Sequence, residues 1–206
     1  EKTRLLILNN PHNPTGSFTE KAEIDKLAMG LLNFPDVAIL SDEIYGRLIF
    51  EKKEFPTFFN YPDLYDRLII LDGWSKTYAM TGWRVGFVHG PAEIIDTMVK
   101  LQQYSFVCAP QPAQWAAAAA LDVNIQGSID DYRQKRDRIY EGLRDDYDLT
   151  HPGGAFYAFP KAPWGTGTEF VEAALEQNLL IIPGNIFSRQ NTHFRLSYAA
   201  PDEVIE

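Results

Sequence analysis

Short continuous apolar runs alternate with stretches of helical periodicity along the first half of this sequence, and the alternation predicts its elements. Arg4–Leu8, Val37–Leu40 and Leu68–Leu71 read as buried strands, each too short for a helix and bounded by turn-forming or polar residues. Between the first two, Ile24, Leu27, Ala28, Leu31 and Leu32 recur on one helical face, with Thr19 as the expected cap. Strand, helix and strand in that order predict a mostly parallel sheet flanked by helices. Val85–Val88 follows the third strand so closely that it is expected to run antiparallel to it, and Arg47–Phe50 is a candidate short extra strand. Pro91 opens a helix carrying Ile94, Ile95, Met98, Val99 and Leu101; Pro110–Leu121, with continuous alanine from Ala116 to Ala120, predicts a closely packed one.

The texture then changes. Ile129–Tyr147 is a long mixed-charge helix, expected to be a solvated face linking two domains and to carry no chemistry. Beyond it come a Gly-Gly turn into an aromatic strand within His151–Pro160, a helix over Thr168–Gln177, and strands at Leu179–Ile182 and His193–Ser197. The expected architecture is α/β: residues 1–125 as part of a large domain, and residues 126–206 as a smaller C-terminal α+β domain. Pro201, Asp202 and Glu203 resemble a helix that has barely begun, and the chain starts at Glu1 almost directly in a strand. A fragment of a longer protein is expected on that ground.

The chemistry-bearing residues follow the strands. Asn13 lies in the Pro- and Asn-rich loop after the first strand, Asp42 and Tyr45 after the second, and Lys76 after the third. In open α/β sheets, ligands bind outside the carboxyl ends of the strands. An amide, a carboxylate and an amine are thus expected on one rim, with the cation Arg84 eight residues beyond the lysine. An amine nucleophile and a fixed cation among glycines suit a carbonyl cofactor that also carries a phosphate. In the second lobe, Arg195 interrupts an apolar strand, which calls for an anionic partner: an internal ion pair with Asp202 or Glu203, or a bidentate clamp on a substrate carboxylate.

Composition narrows the function classes. The apolar fraction of 45% suits a globular core, and the net charge of −9 with dispersed basic residues excludes a nucleic-acid or anionic-membrane partner. Cys108 is the sole cysteine and the four histidines are scattered, so neither a disulfide framework nor a metal-ligand spacing is present. No apolar run is long enough to span a bilayer. A reducing cytoplasm fits these features.

NNPHNPTG (Asn9–Gly16), SDEIYGRL (Ser41–Leu48), SKTYAMTGWRVG (Ser75–Gly86), GGAFYAFP (Gly153–Pro160) and RLSYA (Arg195–Ala199) occur in this order. Together they resemble the class I/II aminotransferases among the fold-type-I pyridoxal-phosphate enzymes. The resemblance implies pyridoxal 5′-phosphate as cofactor, with Lys76 as its Schiff-base lysine and proton carrier. It implies Asp42 at the pyridine nitrogen, Asn13 and Tyr45 at the phenolic oxygen, Ser75 and Arg84 at the phosphate, and Asn13 with Arg195 at the substrate carboxylate. It implies a ping-pong exchange between an L-amino acid of aspartate, alanine or aromatic type and a 2-oxo acid, in a cytoplasmic homodimer. A related carbon-sulfur lyase, or a non-catalytic sensor domain that binds the cofactor, shares the same motifs. Gly73 stands where many relatives have a phosphate-binding serine, and Trp74 is bulkier than the usual residue before Ser75. The family's N-terminal part is absent, so the isolated fragment is expected to be inactive.

Overall fold

The computed structural model describes residues 2–51 and 54–205, so Glu1 and Glu206, where the sequence begins and ends, lie outside the described residues. Two compact units are present. One holds the chain up to Asn10, Thr19–Arg47 and the stretch from Glu54 to Ile125; the other holds Pro11–Phe18, Leu48–Glu51 and the chain from Gln126 onward.

The first unit is built on a four-stranded sheet of β1 (Leu5–Asn9), β2 (Ala38–Asp42), β3 (Leu68–Gly73) and β4 (Gly86–His89), in that spatial order. β1, β2 and β3 are parallel, with Asn9 opposite Asp42 and Asp42 opposite Leu71. β4 runs antiparallel to β3, as expected. Helix α1 (Lys21–Leu31) lays Ile24, Ala28 and Leu31 on Ile39, Leu68 and Ile70, and Phe58 and Leu64 from the β2–β3 connection complete this core. Full burial of a side chain such as Ile24 or Ile39 is worth about 1.5–3 kcal/mol. Arg67 closes the end of α1: its guanidinium donates to the carbonyls of Leu31, Phe34 and Val37 at 2.7–2.9 Å, which suits a cation at a helix C-terminus.

Several expectations are corrected here. β1, at one edge of the sheet, is not buried on both faces: Leu6 and Leu8 pack against the core, whereas Leu5 and Ile7 on the other face are exposed. Thr19 does not cap α1: the cap position is Glu20, which makes no side-chain cap bond. The Asn10 amide holds Thr19 by its backbone N–H (2.8 Å) and carbonyl (3.3 Å). Arg47–Phe50 forms no strand, only an isolated bridge between Ile49 and Gly154. Helices α2 (Ala92–Ser105) and α3 (Gln111–Ala120) form as expected. α2 buries no residue, whereas α3 packs Ala113 and Ala117 against Met80 and Val85.

In the second unit, α4 (Gln126–Leu143) precedes β5 (Tyr157–Ala158), α5 (Gly167–Glu176), β6 (Ile182–Pro183), β7 (Phe194–Ser197) and α6 (Asp202–Ile205). The strands pair antiparallel in the order β5-β7-β6. Its core joins Phe194, Ile181 and Ala162 to Phe170 and Tyr147. Thr166 and Glu169 form a reciprocal capping box at the start of α5. The aromatic strand expected after the Gly-Gly turn forms over Tyr157–Ala158 only, while the N–H groups of Gly153, Gly154 and Ala155 bond to the Gly16 and Leu48 carbonyls.

Candidate active site

In the first unit, two neighbouring parallel strands end at the same sheet edge, and each delivers a candidate residue there. Asp42 closes β2, its carbonyl accepting from the Asn9 side-chain amide and the Asn10 N–H, both at 3.2 Å. Its side chain is half-buried, and among the described residues its only donor is the Ile44 N–H, 3.2 Å from Oδ1. Burial pushes this carboxyl above its ordinary value, opposed by that one bond. The turn Glu43–Gly46, closed by a 2.7 Å backbone bond, then places Tyr45 in the buried interior.

β3 ends at Gly73, and Trp74–Tyr78 form one turn, with the Tyr78 N–H on the Trp74 carbonyl at 3.2 Å. The turn is stopped by Ala79 in the left-handed region at φ 52°. Lys76 stands in the middle of this turn, half-buried. The following residues fold back: the Thr81 hydroxyl donates to the Ser75 carbonyl at 2.8 Å, and the Arg84 guanidinium donates to the Thr81 carbonyl at 3.0 Å. Arg84 is itself left-handed at φ 53°, a conformation unfavourable for a long side chain and characteristic of functional loops. Ser75, Lys76 and Arg84 therefore share one loop, tied together by Thr81. Trp74 fits because its ring packs on the Met80–Val85–Ala113–Ala117 cluster and meets Phe87 edge-on at 5.6 Å.

Two further acids on this sheet were missed by sequence reasoning. Glu43 is buried and its Oε1 accepts from the Ser41 and Thr57 hydroxyls at 2.9 Å and the Phe58 N–H at 3.3 Å. Asp72 is raised first by burial and further by Asp42, and lowered by its bond to the Gly73 N–H and by Arg47. An acid directly after the apolar run Leu68–Leu71 was the available signal.

The second unit holds Asn13 and Arg195. The Arg195 guanidinium donates to Asn13 Oδ1 at 2.9 Å and lies over the rings of Tyr157 (4.5 Å) and Phe187 (4.7 Å). Neither Asp202 nor Glu203 serves as the internal ion-pair partner: Asp202 lies 3.8 Å from Lys135 and 4.0 Å from Arg138 instead. An arginine held by two rings and a neutral amide keeps its charge for another anion.

The model of the family described as aminotransferase class I and II matches residues 1–206. The chain belongs to this family. It is 38% identical to a probable aspartate aminotransferase from Methanocaldococcus jannaschii, over all of this chain and 56% of that protein. It is 33% identical to an aromatic-amino-acid aminotransferase from Thermococcus litoralis, over all of this chain and 55% of that protein. Among solved structures, the aromatic aminotransferase of Pyrococcus horikoshii superimposes with a TM-score of 0.93 at 33% identity, covering 100% of this chain and 57% of that one. The chain thus spans about half the length of the curated relatives it matches.

Class I and II aminotransferases depend on pyridoxal phosphate, and the donor set in the first unit fits that group. A half-buried carboxyl with one neutral donor suits a protonated ring nitrogen. One loop offers an amine for a carbonyl, and a hydroxyl and a guanidinium for a phosphate.

Proposed function

We propose that the protein carrying this chain is a pyridoxal-phosphate-dependent aminotransferase that moves an amino group between an L-amino acid and a 2-oxo acid in two half-reactions. The observation that carries the reading is the placement of Asp42 and the Lys76 loop at the ends of adjacent parallel strands, in a chain of this family. Pyridoxal phosphate, when bound, supplies the electron sink that makes a substrate Cα–H acidic. Lys76 Nζ would hold the cofactor and, as general base, would take the proton from substrate Cα. Asp42 would pair with the ring nitrogen, Tyr45 and Asn13 would donate to the phenolic oxygen, and Ser75 and Arg84 would hold the phosphate. Arg195 takes the substrate α-carboxylate, with Asn13 Oδ1 fixing one guanidinium nitrogen. The names of the aspartate and aromatic relatives support donors of those types. The same reading makes the protein a cytoplasmic homodimer; exposed Leu101, Tyr104, Phe106 and Trp115 support association.

The test is borohydride reduction of the full-length protein with pyridoxal phosphate, followed by mass mapping. An adduct on Lys76 is expected, absent in a Lys76→Ala variant that keeps the parent's unfolding midpoint. A Lys76→Ala protein that turned over at the parent rate would sink the proposal. Pyruvate and ammonia released from a sulfur amino acid without an oxo-acid acceptor would point to the lyase instead.

A further inference from the structure

Helix α4, with its mixed charges, buries a single residue, and that residue is a cation. Arg136 is 5% exposed. A guanidinium out of water is costly unless acceptors meet its N–H groups. NH1 donates to the Pro152 carbonyl and Nε to Asp137 Oδ1, both at 2.6 Å, while Cζ lies 5.1 Å from the centre of the Phe50 ring. Phe50 is itself fixed by its backbone N–H on the Gly153 carbonyl at 3.2 Å.

Pro152 begins a continuous path to Arg195 within the same unit. The next two N–H groups, of Gly153 and Gly154, both donate to the Gly16 carbonyl, at 2.8 and 3.0 Å. Gly16, at φ 68°, closes the turn that carries Asn13: its own N–H bonds the His12 carbonyl at 2.8 Å, and a Cβ on it would collide with the Tyr157 carbonyl and come within 2.8 Å of Pro152 Cβ. Gly154 likewise leaves room for Pro11, which a Cβ would approach to 2.6 Å. The Asn13 turn is therefore seated on the 152–157 segment with no slack, and that segment also supplies the Tyr157 ring beneath Arg195.

We infer that Arg136 is a positioning residue for the substrate carboxylate: through Pro152 and the Gly153–Gly154 pair it sets the place of both Asn13 and Tyr157, and so the aim of Arg195. This deepens the proposed function and rests on the reading of Arg195 as the carboxylate clamp. Arg136 touches neither substrate nor cofactor in this account. Its fork spans a carbonyl and a carboxylate in directions that one lysine ammonium cannot reproduce.

The experiment titrates the full-length holoprotein and its Arg136→Lys and Arg136→Met variants, by calorimetry, with maleate and with 3-phenylpropionate, two carboxylates that cannot react. Arg136→Lys is expected to form the Lys76 adduct in parent yield yet to bind the preferred carboxylate about tenfold more weakly. KM for the amino acid should rise by the same factor, with kcat within about twofold of the parent. Arg136→Met should be weaker still; if it does not fold, Arg136→Lys carries the test. A purely structural role would reduce the fraction of competent protein and leave Kd and KM of the remainder unchanged, and that result overturns the inference. If the parent forms the Lys76 adduct but binds neither carboxylate, the clamp reading fails and takes this inference with it. A parent that binds, with an Arg136→Lys variant of equal affinity, overturns the inference alone.

Discussion

Replacing Gly73 by serine sets two expectations against each other. The resemblance treats this position as one where many relatives carry a phosphate-binding serine, so the substitution should supply a missing contact, and hydrogen bonds to charged groups are worth about 1.5–3 kcal/mol. The structure opposes it. Gly73 faces Gly86 at the end of the β3–β4 ladder, and a Cβ there would lie 2.9 Å from Gly86 Cα, 3.2 Å from the Val85 carbonyl and 3.5 Å from Ile44 Cδ1. The first two are backbone atoms, and ordinary contact starts at 3.4 Å, so strand β4 must retreat by several tenths of an ångström. It cannot do so freely, because Val85 is buried against Met80, Ala113 and Ala117. Overpacking of this kind costs about 1–3 kcal/mol. Two assays separate the effects: urea unfolding of the cofactor-free protein reads the strain, and titration with pyridoxal phosphate reads the contact. The expected result is a loss of about 1–3 kcal/mol in unfolding free energy with no gain in cofactor affinity. A Gly73→Ser protein as stable as the parent that held the cofactor more tightly would refute the reasoning.

Burial raises the Glu43 carboxyl, while the Ser41 and Thr57 hydroxyls and the Phe58 N–H oppose the shift and Asp72 adds to it. The folded protein therefore keeps a proton that the unfolded chain releases near 4.5; the resulting stabilisation is complete below that pH and is lost as pH rises through the raised folded value. Glu43→Gln should flatten this part of the curve of unfolding free energy against pH, and an unchanged slope would contradict the assignment. Gly142 lies exposed in α4, where an added Cβ meets nothing within 4 Å. Gly142→Ala should raise unfolding free energy by about 0.5–1 kcal/mol, and a thermal melt showing destabilisation would count against an unstrained helix there.

The elements that sequence reasoning placed correctly are those whose signal is local. The Lys76 loop is one: the bonds that shape it join Thr81 to Ser75, six residues away, and Arg84 to Thr81, three away. The parallel strands are another, since an apolar run flanked by helical periodicity carries its own evidence of being covered on both faces. β1 shows the limit of that evidence. Its apolar run is longer than that of β2, yet it lies at the sheet edge with Leu5 and Ile7 exposed, because an apolar face records the need for a cover and not which segment supplies it.

The two arginines of the second unit show why the rest was not legible. Periodicity counts an arginine as a mark of solvent, which is why α4 read as a solvated face; in the structure Arg136 is the residue that helix buries. Its acceptor, the Pro152 carbonyl, is 16 residues away, and the Asn13 acceptor of Arg195 is 182 residues away. The acceptors that tie each arginine to a distant segment are neutral, so no complementary charge in the sequence announced those two pairings, although Arg136 also meets the adjacent Asp137 carboxylate. Aromatic faces complete both settings, Phe50 for one and Tyr157 with Phe187 for the other. Rings and neutral oxygens lower the cost of burying a guanidinium without cancelling its charge. For Arg136 the carboxylate of Asp137 beside it, at 2.6 Å, meets the charge, and the residue is left to position others rather than to take an anion itself. For Arg195 no carboxylate among the described residues does so, and a guanidinium placed and unneutralised in this way is what recognition of a substrate carboxylate requires.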